Sequence, residues 1–135
     1  MTRAPAPRPP RHLLVVDDEP HIGLLLRPEF ESRGFRVSLA RSLADARTVL
    51  RDVDVLLLDL HLPDGSGLDF LRELRRHAGT RDLPVLVLTG EGDDQLLEET
   101  RSLDAALLTK PFSPSKLAAR LAALVGDPAT KGEIS

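Results

Sequence analysis

Hydrophobic and polar positions in this chain follow two different periods. Residues 55–58 are an unbroken apolar run closed by Asp59, and Leu60-His61-Leu62-Pro63-Asp64-Gly65 then breaks into turn chemistry. A short apolar run bounded by turn signals reads as a strand buried on both faces, as in a parallel sheet. Residues 12–16 form a similar run that ends on Asp17-Asp18-Glu19-Pro20, residues 84–88 end at Thr89, and residues 105–108 make a shorter fourth. Residues 35–39 instead alternate, with Phe35, Val37 and Leu39 apolar and Arg36 and Ser38 polar, which marks a half-exposed edge strand.

Between these runs the spacing turns helical. Ile22, Leu25, Leu26 and Phe30 predict a first helix from Pro20 to about Arg33, with Pro20 in its first turn and Gly34 as its C-cap. Pro28 lies inside it, where a proline costs about 3 kcal/mol or more, so a kink or early break is expected there. Ser42-Leu-Ala-Asp45 opens a second helix to about Arg51. Leu68, Leu71 and Leu74 mark a third over about 67–77, a polar fourth follows over about 93–102, and Ser113-Pro114 caps a last one with Leu117, Leu121 and Leu124 inward.

Five alternations of strand and helix with short connections call for an α/β fold: a doubly wound, five-stranded parallel sheet with helices on both faces. Right-handed crossovers and an edge position for the alternating second strand give the order 2-1-3-4-5, the three-layer flavodoxin-like arrangement. That order makes strands 1, 3, 4 and 5 neighbours. Their carboxyl ends, where open α/β folds bind ligands, carry Asp17 and Asp18, Asp59, Thr89 and Lys110.

Composition narrows the classes. A length of 135 residues with 41% hydrophobic content suits one domain with a real core. Four Phe and no Trp or Tyr make that core aliphatic and leave no base-stacking platform, and a net charge of −3 argues against nucleic-acid binding by bulk electrostatics. With no Cys there is no disulfide framework, thiolate chemistry or Cys-bound zinc. No 18-residue apolar span or signal-peptide pattern occurs, so a soluble, cytoplasmic chain without membrane contact is expected. Residues 1–11, with Pro5, Pro7, Pro9, Pro10 and three arginines, read as a mobile tail, residues 12–125 as the domain, and residues 126–135 as a polar tail.

Three carboxylates brought together repel one another unless a cation joins them. An oxygen-only cluster suits Mg²⁺ rather than zinc. A carboxylate nucleophile, Mg²⁺, an ammonium and a hydroxyl are the kit for phosphoryl transfer to an aspartate, with Asp59 as the reacting group.

With Asp17-Asp18-Glu19-Pro20, Asp59 followed by Leu-Pro-Asp-Gly-x-Gly, Thr89 and Lys110-Pro111-Phe112 in this order, the chain resembles the receiver domain of two-component response regulators over about 12–125. The resemblance implies phosphorylation of Asp59 by a histidine kinase or phosphotransfer protein, not turnover of a substrate. It implies Mg²⁺ on Asp18, Asp59 and the main-chain carbonyl of His61, with Asp17 reaching the ion through water. Lys110 would pair with Asp59 and then with the phosphoryl group, Thr89 would swing toward it, and the Lys110-Pro111 peptide would be cis. The surface near the fourth and fifth helices would change for an unknown downstream partner or effector domain, and a homodimer through those helices is allowed. Two positions depart from the family pattern: Leu107 stands where an aromatic switch residue is usual, and Leu103 where a glycine is common.

Rival readings stay in view. A haloacid-dehalogenase-type phosphatase wants a second Asp two residues after the nucleophile, and His61 is there. A flavodoxin-like nucleotide binder would meet repulsion from Asp17-Asp18-Glu19. A receiver-like docking module outside phosphorylation control is the main alternative. His61 reads as a loop residue at the site entrance, His12, His21 and His77 as surface groups, and Asp93-Asp94 and Glu98-Glu99 as a solvated helix face.

Overall fold

The computed structural model describes residues 11–90, 94–109 and 113–125, apart from the side chains of Pro20, His61, Asp94 and Gln95. The expectations for the two tails, except Arg11, for Asp93, and for Lys110 with its bond to Pro111 lie outside these residues.

Five strands form one parallel sheet: β1 (Arg11–Val16), β2 (Phe35–Ala40), β3 (Val55–Asp59), β4 (Val85–Thr89) and β5 (Ala106–Thr109), in the order β2-β1-β3-β4-β5. Helices α1 (Pro20–Glu31), α2 (Leu43–Val49), α3 (Gly67–Arg76), α4 (Asp94–Ser102) and α5 (Pro114–Val125) alternate with them. The expected architecture and strand order are therefore what the chain adopts.

Period two along the strands sorts their side chains into two cores. Leu13, Val15, Val55, Leu57, Leu86 and Leu88 pack against Leu26 and Phe30 of α1 and Leu117 and Leu121 of α5. Leu14, Val16, Leu56, Leu58, Val85 and Val87 face Ala46 of α2 and Phe70, Leu71 and Leu74 of α3. Burying one such side chain fully is worth about 1.5–3 kcal/mol, whereas an exposed ion pair contributes about 0–1 kcal/mol. The aliphatic layers, not the surface charges, hold the three layers together.

Several local expectations need correction. Arg11 is not part of a tail: it begins β1, and its Nη1 donates to the Val125 carbonyl at 2.7 Å, tying the strand to the end of α5. Helix α1 does not break at Pro28 but runs on to Glu31. The ring deprives only the Leu24 carbonyl of a helical donor, on an exposed side of the helix, while the Pro28 carbonyl still accepts from Ser32 N–H at 3.0 Å. Beyond the proline, Phe30 packs edge-on against Phe35 of β2 with ring centroids 5.1 Å apart, which fastens the last turn to the sheet. Gly34 then turns the chain with φ of 88°, a conformation that costs a glycine little. Helix α2 ends at Val49 and passes into a 3₁₀ turn over Leu50–Asp52.

His12 is buried, not a surface group. Period two puts it on the face of Leu14 and Val16, and its Nε2 meets Ser38 Oγ at 2.6 Å while its N–H donates to Asp54 Oδ2 at 2.7 Å. Arg36 Nη2 lies 3.4 Å from the other ring nitrogen. On α4, Glu98 is solvated, but Glu99 pairs with Arg72 of α3.

Both edges of the sheet carry an arginine from the adjoining helix. Arg27 Nη2 donates to the Val37 carbonyl of β2 at 3.0 Å, and Arg120 Nη2 donates to the Leu107 carbonyl of β5 at 2.9 Å.

Candidate metal and phosphoryl-transfer site

Strand register carries the site residues to one end of the sheet. Val16 pairs with Leu58, so Asp17 and Asp59 are each the next residue along neighbouring strands. Asp59 pairs with Leu88 and Thr89 with Thr109, so Thr89 ends the strand beside Asp59. Lys110 follows Thr109 directly in the chain, and its side chain is outside the described residues.

Asp17, Asp18 and Asp59 each offer a carboxylate oxygen, and the three oxygens lie within 4.8 Å of one another. Asp17 and Asp59 are buried while Asp18 is exposed, so the cluster is closed beneath and open above. Asp17 is fixed on two sides: its N–H donates to the Ala40 carbonyl at 3.0 Å, and its Oδ1 accepts from Glu19 N–H at 2.9 Å. Two buried acids beside a third are costly in isolation, and an all-oxygen donor set is the chemistry that a hard divalent cation requires. The three carboxylates could hold a metal.

The segment after Asp59 is built tightly. His61 pairs with Ser66 and Leu62 with Gly65 in a short antiparallel ladder, which leaves the Pro63-Asp64 turn at its tip. Gly67 begins α3, and its N–H donates to the Leu60 carbonyl at 3.2 Å. A β-carbon at residue 67 would stand 2.8 Å from both the Asp59 carbonyl oxygen and Leu60 Cα, closer than backbone atoms tolerate. The last glycine of the Leu-Pro-Asp-Gly-x-Gly motif is thus needed so that α3 can start directly behind β3. An apolar-walled cleft lined by Leu60, Leu62, Pro63 and Leu96 opens beside Asp18.

Thr89 is buried, and its hydroxyl donates to the Gly90 carbonyl at 3.2 Å. Leu107 is half-buried in mid-β5 and packs on the second core, with its carbonyl held by Arg120. The left-handed residue of the α4–β5 turn is Asp104, with φ of 58°, so Leu103 keeps ordinary backbone and packs inward where a glycine is common.

One residue of this region escaped the sequence reading. Asp64 Oδ1 accepts from Leu43 N–H at 2.9 Å and its Oδ2 accepts from Ala44 N–H at 3.1 Å, at the start of α2. Those two donors hold its carboxyl below the usual carboxylate range, with Arg47 adding to the effect. Asp in a Pro-Asp-Gly turn is a common capping residue, but nothing in the sequence says which helix it caps.

Known proteins give the arrangement a family. The family model described as the response regulator receiver domain matches residues 13–122. The phosphate regulon transcriptional regulatory protein PhoB of Klebsiella pneumoniae is 39% identical over 120 residues, covering 85% of this chain and 52% of the relative. The KDP operon transcriptional regulatory protein KdpE of Escherichia coli is 38% identical over 117 residues, covering 82% of this chain and 49% of the relative. The chain therefore spans about half the length of the curated relatives it matches. Among solved structures, the non-phosphorylated HemR receiver domain of Leptospira biflexa superposes with a TM-score of 0.77 at 30% identity, covering 85% of this chain and 94% of that one. With its strand order and acid cluster in agreement, the chain belongs to the response regulator receiver domain family, the signal-receiving modules of two-component systems.

Proposed function

We propose that Asp59 is the phosphoacceptor of this receiver and that Asp17, Asp18, Asp59 and the main-chain carbonyl of His61 hold Mg²⁺. The convergence of three carboxylates on the carboxyl ends of β1 and β3 carries this reading. Mg²⁺ bound there would neutralise the acids and the transferring phosphoryl oxygens.

The donor is a phosphohistidine of a histidine kinase or phosphotransfer protein. An Asp59 carboxylate oxygen forms the bond to phosphorus as the nitrogen–phosphorus bond breaks, and the departing imidazole takes a proton. Burial of Asp59 limits water around the resulting acyl phosphate. Lys110, one residue beyond β5, supplies the ammonium that pairs first with Asp59 and then with the phosphoryl group. Thr89 gives up its bond to the Gly90 carbonyl and donates to a phosphoryl oxygen instead. That exchange pulls on the backbone that leads into α4 and biases a two-state surface on α4, β5 and α5. Leu107 has no ring to swing, so the change passes through packing and the β5 backbone. A downstream effector domain or separate partner reads that surface.

Incubating the chain with acetyl phosphate and Mg²⁺ tests the assignment. We expect acid-stable, base-labile phosphate on the parent and none on Asp59→Asn. Undiminished labelling of that variant would remove Asp59 from its role.

A further inference from the structure

The three leading N–H groups of α2 are capped by two side chains from different parts of the chain. Ser42 Oγ accepts from Asp45 N–H at 3.1 Å, which is an ordinary local cap. Asp64 takes the other two, from Leu43 and Ala44, with the carboxylate arriving from the far tip of the ladder that follows Asp59. That ladder is fixed at its base as well, where Gly67 N–H meets the Leu60 carbonyl. His61 lies between the two anchors.

We infer that Asp64 is a positioning residue for the metal site: by tying the loop tip to α2 it sets the path of the His61 main chain before any ion binds. An untethered loop would lose conformational freedom when its carbonyl engaged a cation, and that ordering cost would come out of the affinity. Asp64 is exposed and lies beyond the acid cluster, so it acts on the ion only through the loop. The inference rests on the Mg²⁺ reading given above.

The test is a Mg²⁺ titration of the full 135-residue chain, followed by backbone amide NMR shifts and paired with thermal melts. Asp64→Ala should weaken Mg²⁺ binding about tenfold. Asp64→Asn, which keeps one acceptor oxygen, should lose less. Ser42→Ala removes a cap from the same helix but leaves the tether intact, so it should lower Tm and keep the dissociation constant within about twofold of the parent. If Asp64→Ala lowers Tm like Ser42→Ala yet binds Mg²⁺ as the parent does, Asp64 is only a helix cap and the inference is overturned. If the parent shows no Mg²⁺-dependent shifts at the amides around Asp17 and Asp59, the metal reading itself falls, and this inference with it.

Discussion

His12 shows how one side chain can make a fold sensitive to acidity. Burial is the largest influence pushing its pKa below the ordinary value, and the Arg36 guanidinium adds to it, while Asp52 and Asp54 pull the other way. A histidine that resists protonation when folded leaves the unfolded chain to bind the extra proton. Its effect on stability is therefore absent above the unfolded pKa of about 6.5 and grows as pH falls toward the lower folded value. Urea unfolding at about pH 7.5 and about pH 5.5 should show the parent losing stability over this interval and His12→Gln losing less. Equal losses in both chains would assign the effect to other groups. The carboxyls of Asp64 and Glu73, held low by backbone N–H groups and by Arg47 respectively, contribute in the opposite pH range. Their stabilisation is present above the ordinary carboxylate pKa and is lost in stronger acid.

Among the elements, α3 does more than cover the sheet. From its last turn, Arg75 reaches carbonyl oxygens in two separate turns: Nε to Leu103 at 2.7 Å, Nη1 to Thr80, Arg81 and Leu83 at 3.3, 3.1 and 2.8 Å, and Nη2 to Asp104 at 3.3 Å. Burial draws its guanidinium below the ordinary value, with Asp104 and Asp82 opposing. A planar fork suits this arrangement and a single ammonium does not. Replacing it by methionine should cost about 2–3 kcal/mol in urea unfolding, with Arg75→Lys recovering little. A loss within 0.5 kcal/mol of zero, the range usual for surface positions, would mean the carbonyls are as well served by water.

Such links explain what could be read in advance. Strand β3 was legible because its apolar run and its closing turn are local, and the strand order followed from right-handed crossovers with the alternating second strand at an edge. The meeting of Asp17, Asp18 and Asp59, with Thr89 at the end of the next strand, was legible because topology brings strand ends together whatever the side chains do. Arg75 and Asp64 were not, since their partners lie up to 29 and 21 positions away with no periodicity to betray them. His12 could have been placed, because period two aligns it with Leu14 and Val16, but its polarity argued for the surface. Pro28 raises the opposite problem: its local penalty is real, yet the helix continues to Glu31, where Phe30 packs against Phe35 and offsets part of that cost.

At the scale of the whole molecule, a metal held by the acid cluster would link ion binding to stability. On the Mg²⁺ reading, an ion concentration about 100 times the dissociation constant should add about 2.7 kcal/mol, since only the folded chain assembles the site. Thermal melts with Mg²⁺ and with a chelator should differ accordingly, and the increment should shrink in Asp17→Asn. A melt unmoved by chelation in the parent would count against the site.

The two guanidinium groups on the sheet margins bear on how this domain meets other molecules. Any incoming extended segment would first have to evict Arg27 from β2 or Arg120 from β5, in exchange for a main-chain bond of similar worth. Templated growth of the sheet is thereby discouraged at both margins.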